Sequence, residues 1–110
     1  EMCRGASLTG VVRFDALPVI DEARALVMAG VATGASTRNW ASYGTGVELA
    51  ADAPEWQRKL ITDPQTSGGL LIACAPEAVD AVQAAIVAEQ GEPGRIIGQM
   101  KAGPARVSVV

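Results

Sequence analysis

Residues 76–91 carry the most strongly marked element in the chain, a helix signalled at both ends. Pro76 suits a first helical position, Glu77 and Asp80 lie in the first turns, and Gly91 follows the last apolar residue. Ala75, Ala78, Val79, Val82, Ala85 and Ile86 recur at helical spacing and form one apolar stripe. Such a stripe needs a surface to cover, and the neighbouring segments read as strands. Residues 69–74 are apolar throughout after the glycine, which predicts a buried strand. Residues 95–101 and 105–110 predict two more, and Ala102-Gly103-Pro104 between them reads as a hairpin turn. The expected architecture is α+β, an α/β sandwich whose mixed, largely antiparallel sheet has helices packed on it.

Upstream elements are shorter. Residues 1–4 read as the last turn of a helix closed by Gly5, and the abrupt start predicts a piece of a longer polypeptide. Leu8, Val11, Val12 and Phe14 predict a strand over residues 7–14, and Asp15-Ala16-Leu17-Pro18 turns the chain. Residues 21–29 predict a helix with Asp21 and Glu22 in its first turn, Leu26 and Val27 facing inward, and Gly30 at its end. Residues 31–46 are polar and glycine-rich around Trp40, and read as an irregular loop. Residues 47–53 fit a helical turn or an extended piece equally. Residues 54–60 predict a short helix started by Pro54, with Asp52 or Ala53 near its cap. The expected order is β-α-loop-α-β-α-β-β within a single domain, residues 1–110.

Composition limits the chemistry. Of 110 residues, 49% are hydrophobic and 19% charged, which excludes a disordered polyampholyte. A net charge of -3 argues against a nucleic-acid surface. No apolar run approaches the ~20 residues of a membrane span, and no stretch has the order of a signal peptide. The chain has no histidine, so the commonest general base is missing. Its two cysteines make no disulfide framework. Cys74 reads as a small buried hydrophobe, and at Cys3, beside Arg4, a reactive thiol is the minor reading. No D-x-D pair or metal-ligand spacing occurs, and most carboxylates sit at expected helix starts. With only Lys59 and Lys101 as side-chain amines, no nucleophile–base set is complete, so no catalytic and no metal-binding residue is expected here.

Two segments are candidates for ligand contact. In Asp63-Pro64-Gln65-Thr66-Ser67-Gly68-Gly69, two hydroxyls can donate, and two glycines let backbone N–H groups approach an anion. Spacing alone favours a turn into the following strand, because no helix and no lysine follow the glycines. In Thr37-Arg38-Asn39, Arg38 offers a planar fork suited to phosphate or carboxylate. The alternative is a short helix through Tyr43, capped by Ser36 or Thr37, with Arg38 facing solvent.

The string Asp63-Pro64-Gln65-Thr66-Ser67-Gly68-Gly69-Leu70-Leu71 resembles the signature near the C-terminus of the selenophosphate synthetases, or selenide, water dikinases. Gly34-Ala35-Ser36-Thr37-Arg38-Asn39, followed by Ser42-Tyr43-Gly44, resembles that family's Gly-Gly-Thr-x-Arg-Asn segment and its Ser-Tyr-Gly. Leu17-Pro18, Pro54-Glu55-Trp56 and Ile96-Ile97-Gly98 fall in matching order, so the resemblance covers almost the whole chain. Ala35 departs from it, standing where the family commonly has glycine.

The resemblance implies the fold of the aminoimidazole ribonucleotide synthetase C-terminal domain. It implies the C-terminal part of a two-domain, homodimeric enzyme that converts ATP, selenide and water into selenophosphate, AMP and phosphate; the cysteine use and the lack of an export signal fit a cytoplasmic place for it. In that family the catalytic Cys or selenocysteine, its Lys and the aspartates for Mg²⁺ and ATP lie upstream, in the N-terminal domain. Cys3 does not match the catalytic cysteine. The chain by itself is therefore expected to be inactive and to bind neither Mg²⁺ nor ATP alone, its partner being its own N-terminal domain. Thr37, Arg38, Asn39, Thr66, Ser67, Gly68 and Gly69 become the expected ligand-facing residues. Another ATP-dependent kinase or synthetase of the same superfamily, or a non-catalytic interaction domain, are the alternatives.

Overall fold

The computed structural model describes residues 1–110. A short helix α1 (Met2–Ala6) leads into strand β1 (Leu8–Val12), and a 3₁₀ turn (Phe14–Ala16) follows. Helices α2 (Asp21–Met28) and α3 (Gly34–Tyr43) come next, then a 3₁₀ turn (Gly44–Gly46) and strand β2 (Val47–Leu49). Helix α4 (Glu55–Ile61) starts after Pro54. A 3₁₀ turn (Pro76–Ala78) opens α5 (Val79–Gln90), and β3 (Gly98–Ala102) and β4 (Arg106–Val109) complete the chain.

The four strands form one sheet in the order β2-β4-β1-β3. β1 is central. It pairs antiparallel with β3, from Leu8 opposite Ala102 to Val12 opposite Gly98. It pairs parallel with β4, from Thr9 opposite Arg106 to Val12 opposite Val109. β2 lies parallel to β4, Val47 opposite Val107 and Leu49 opposite Val109. The apolar core is small: Cys3, Phe14, Val27 and Val109 are its buried side chains. Cys3 lies under β1, where its Sγ would be 3.0 Å from a Cβ placed on the buried Gly10. Phe14 meets Trp56 of α4, joining the end of β1 to the helical layer.

The α+β class and the mixed sheet hold, but two of the three strand pairings are parallel, so the sheet is not largely antiparallel. The expected hairpin between the last two strands is absent: β3 and β4 flank β1 on opposite sides. The connection at residues 103–105 passes the end of β1, tied by Thr9 Oγ1 donating to Pro104 O at 2.6 Å. Gly103 sits there at φ 156°, a backbone region closed to most side chains.

Residues 69–74 form no strand and are exposed, Leu70 at 88%, Leu71 at 63% and Ile72 at 49%. Apolar character marks a segment that can pair but names no partner, and the sheet, in the order β2-β4-β1-β3, includes no strand from this segment. Cys74, expected to be buried, is exposed with its segment, while Cys3 is buried. The polar region at 31–46 is mostly helix α3 rather than loop, because its hydroxyls cap and cross-link the helix instead of competing with it. The undecided segment at 47–53 contains β2. Along α2, Val27 is buried as expected while Leu26 is 54% exposed, one helical step off the core-facing side. α1 runs through Gly5 to Ala6, and Ser7 takes the left-handed position with φ 54°.

Candidate functional site

The two motif segments meet at the seam between α3 and α4. Thr33 is the N-cap of α3: its Oγ1 accepts from Ser36 N at 3.3 Å. The same hydroxyl donates to Asp63 Oδ1 at 3.2 Å, reaching the first residue of the second segment. One turn further along α3, Asn39 Nδ2 donates to Thr62 O at 2.8 Å. Between these ties lie Ser36 and Thr62, each only 2% exposed. Their hydroxyls are 2.6 Å apart, while Ser36 Oγ reaches Lys59 O at 2.9 Å and Thr62 Oγ1 reaches Arg58 O at 2.8 Å. Each hydroxyl has a single proton, so only two of these three O···O contacts carry one at a time.

The ties place each candidate. Asn39 is half-buried and spends its amide on Thr62, so it holds the seam rather than facing a ligand. Thr37 and Arg38 are exposed on the outer side of α3, and Arg38 forms no ion pair. Thr66, Ser67, Gly68 and Gly69 form an exposed loop, and neither hydroxyl has a partner in the chain. Neither glycine adopts a positive φ. A Cβ at Gly69 would meet nothing within 4 Å, and one at Gly68 would meet only the Gln65 side chain. The fold of this chain therefore does not itself require glycine at either position. Arg38 and the Thr66–Gly69 loop thus keep their donors open, while the bases of their two segments are bonded together.

Sequence reasoning missed the residues that build the seam. Thr33 was hidden because Gly34 after it suggested a loop, although a threonine three residues before Ser36 is a capping signal. Thr62 stands one residue before the conspicuous string and carries no signal of burial. Ser36, Thr37, Trp40, Arg58, Lys59 and Thr62 line a cleft of about 20 Å³, room for about one water. Over it the Arg58 guanidinium lies 5.5 Å from the Trp40 ring centroid. Arg58 and Lys59 also reach Glu55 at 3.2 and 3.4 Å, which draws their charge toward α4. No group of three His, Cys, Asp or Glu side chains is placed to hold a metal ion.

Removing one buried hydroxyl tests the seam. Thr62→Val keeps the shape of the side chain and leaves Ser36 and Arg58 O each short of a partner. It is expected to cost about 1–2 kcal/mol in urea unfolding. Ser36→Ala is expected to cost a similar amount, and the double variant less than the sum of the two. Strict additivity would show the hydroxyls to be independent.

The whole chain, residues 1–110, matches the family described as AIR synthase related protein, C-terminal domain. It is 53% identical over 109 residues to the selenide, water dikinase of Burkholderia ambifaria (strain MC40-6), covering 99% of this chain and 31% of that protein. Against the selenide, water dikinase of Burkholderia pseudomallei (strain K96243) it is 54% identical over 109 residues, with the same two shares covered. Against that of Rhizobium meliloti (strain 1021) it is 46% identical over 110 residues, 100% of this chain and 32% of the relative. The chain thus spans about a third of the length of these relatives. With its entire length matched, it belongs to the AIR synthase related proteins, as their C-terminal domain.

Proposed function

We propose that this chain is the C-terminal domain of a two-domain selenophosphate synthetase and forms one wall of the crevice in which that enzyme handles ATP and selenide. The observation that carries the reading is that the two segments are tied at their bases, through Thr33, just before the first, with Asp63, and through Asn39 with Thr62, just before the second. The likeness to dikinases over nearly the whole chain supports it. The reaction of the complete enzyme is ATP + selenide + water to selenophosphate + AMP + phosphate. Arg38 and the backbone N–H groups of Thr66, Ser67, Gly68 and Gly69 face the phosphates of nucleotide or product. Thr37 supplies a hydroxyl beside Arg38. Asn39 acts behind them, holding α3 to the start of the loop.

Mg²⁺ balances the charge of the ATP phosphates in the complete enzyme, and no residues of this chain gather to hold it. The chain's own residues bind and orient, which for phosphoryl transfer is a large share of the work. The reactive groups reside in the N-terminal domain, which is this domain's partner, and the complete enzyme is a homodimer working in the cytoplasm, where ATP is supplied.

Arg38→Ala in the complete enzyme tests the reading. Selenide-dependent formation of AMP is expected to fall roughly 100- to 1,000-fold, the scale of losing one donor positioned on developing negative charge. Stability is expected to stay within about 0.5 kcal/mol, since Arg38 is exposed and unpaired. Parental activity in this variant would make Arg38 a surface residue and remove the proposal's main ligand contact.

A further inference from the structure

A crevice of about 360 Å³ opens between the starts of β2 and β4, lined by residues 45–48 and 104–106. None of these residues belongs to α3, α4 or the loop at 63–69. The sheet gives the crevice its shape. β2 and β4 run parallel, Val47 opposite Val107, so both segments enter the sheet at the same end. The entry to β4 is pinned where Thr9 Oγ1 donates to Pro104 O at 2.6 Å. That wall is set before a ligand arrives, which spares the cost of ordering it.

The chemistry of the crevice is cationic. Arg106 Nη1 donates to Glu48 Oε1 at 3.1 Å, and both side chains are open to solvent. Such a pair is worth little and leaves most of the guanidinium N–H groups free. A second guanidinium comes from α1: Arg4 Nη2 lies 3.9 Å from where a Cβ on Gly46 would stand, and Arg4 forms no ion pair. The Thr45 hydroxyl and the Ala105 N–H bond nothing within the chain. Two guanidiniums against one carboxylate leave this corner positive in a chain whose net charge is -3.

We infer that the crevice binds a small phosphate monoester with a hydroxylated body. The ester carries a charge of about -1.5 to -2 and three terminal oxygens, enough to engage two guanidinium forks, whereas a carboxylate offers only two oxygens. Inorganic phosphate would fill only a part of the space, which falls in the range of roughly 300–1,000 Å³ typical of small-molecule sites. Glu48 keeps Oε2 to accept from a hydroxyl of the body, and Val47 and Pro104 supply apolar contact. The inference stands apart from the reading of Arg38 and the loop at 66–69, because it uses none of those residues.

Arginine modification by phenylglyoxal, located by mass spectrometry in the 110-residue chain and in the complete enzyme, tests the inference with glycerol 3-phosphate as the probe. At ten times its Kd the ester is expected to slow modification of Arg4 roughly 10-fold by mass action. The exposed Arg95, outside the crevice, serves as the reference and is expected to react at its usual rate. In Arg106→Gln, loss of a charge-assisted bond is expected to weaken the ester roughly 10-fold, leaving Arg4 about 2-fold protected at the same concentration. Unchanged modification of Arg4 in the unsubstituted protein would overturn the inference, and so would equal slowing at Arg95, which is the mark of general screening. Protection that Arg106→Gln leaves intact would place the ester elsewhere and overturn it too. Inorganic phosphate protecting as well as the ester at equal concentration would overturn the assignment of an organic body. Protection of the 110-residue chain that is missing from the complete enzyme would show the crevice filled by upstream polypeptide, and would overturn the inference as well.

Discussion

Gly98→Ala is expected to destabilise the domain by on the order of 3 kcal/mol, lowering its melting temperature by roughly 10–20 °C. Gly98 stands opposite Val12 at the start of β3. A Cβ there would collide with the carbonyl oxygen of Val11 and lie 3.0 Å from Val11 C and 3.1 Å from Val12 Cα. All three are backbone atoms of the central strand, so no rotamer change relieves the clash. Either β3 moves off β1 or β1 is displaced from β4, and each choice breaks ladder hydrogen bonds. The control is Gly69→Ala, where a Cβ meets nothing within 4 Å and the backbone is not left-handed. That variant is expected to unfold with the parental midpoint. Equal midpoints for the two variants would mean that β3 does not lie against β1 as described.

Phe14→Ala is expected to cost about 3–5 kcal/mol, the usual range for emptying an aromatic core site. Phe14 is 3% exposed, and its ring stands edge-on to Trp56 with centroids 5.5 Å apart at 74°. The Arg24 guanidinium lies 6.0 Å from the Phe14 ring centre and 5.9 Å from that of Trp56, covering both aromatics from α2. The Phe14 backbone N–H donates to Val110 O at 2.8 Å, so the residue that fills the core also ties the end of β1 to the end of β4. In a core with so few buried side chains, little remains to compensate for the loss. Chemical unfolding followed by tryptophan fluorescence measures the cost, and a change below about 1 kcal/mol would place the core elsewhere.

What could be read in the sequence followed from the range of the interactions. Helices α2, α4 and α5 rest on local spacing and on acidic first turns; α2 and α4 appeared within a residue of their expected places, and α5 begins three residues after Pro76, which opens a 3₁₀ turn instead. β1 rests on its own apolar pattern and also appeared. Neighbours in a sheet are a long-range matter. Nothing local to Arg106–Val109 tells that it joins β1 in parallel rather than folding back on β3, and the Gly103-Pro104 step looks the same either way. The run at 70–74 shows the same limit, since its composition announces a strand but names no partner.

The candidate site divides along the same line. Arg38 and the loop at 66–69 were legible because an arginine beside hydroxyls, or two glycines after two hydroxyls, is conspicuous chemistry in one stretch of chain. Asn39 looked equally conspicuous and turned inward, because its helical position faces α4. Thr33, Ser36 and Thr62 were not legible as a group, because the buried hydroxyls of Ser36 and Thr62 and the exposed one of Thr33 become one set of ties only when two helices approach. Thr33 alone bridges the two kinds of information: it caps its own helix and, with the same oxygen, reaches Asp63 thirty residues on.

The central place of β1 has a consequence for how the protein is made. Its two neighbours in the sheet, β3 and β4, follow the other two strands in sequence, so of these four strands the first to be made waits longest for company. Until Gly98–Ala102 emerges nascent β1 exposes two unsatisfied edges, and until Arg106–Val109 follows it exposes one, so only the small helices between can condense meanwhile. Folding of these 110 residues accordingly waits for their last-made strand, and a chaperone that shields residues 8–12 in the interim would raise the yield of native protein.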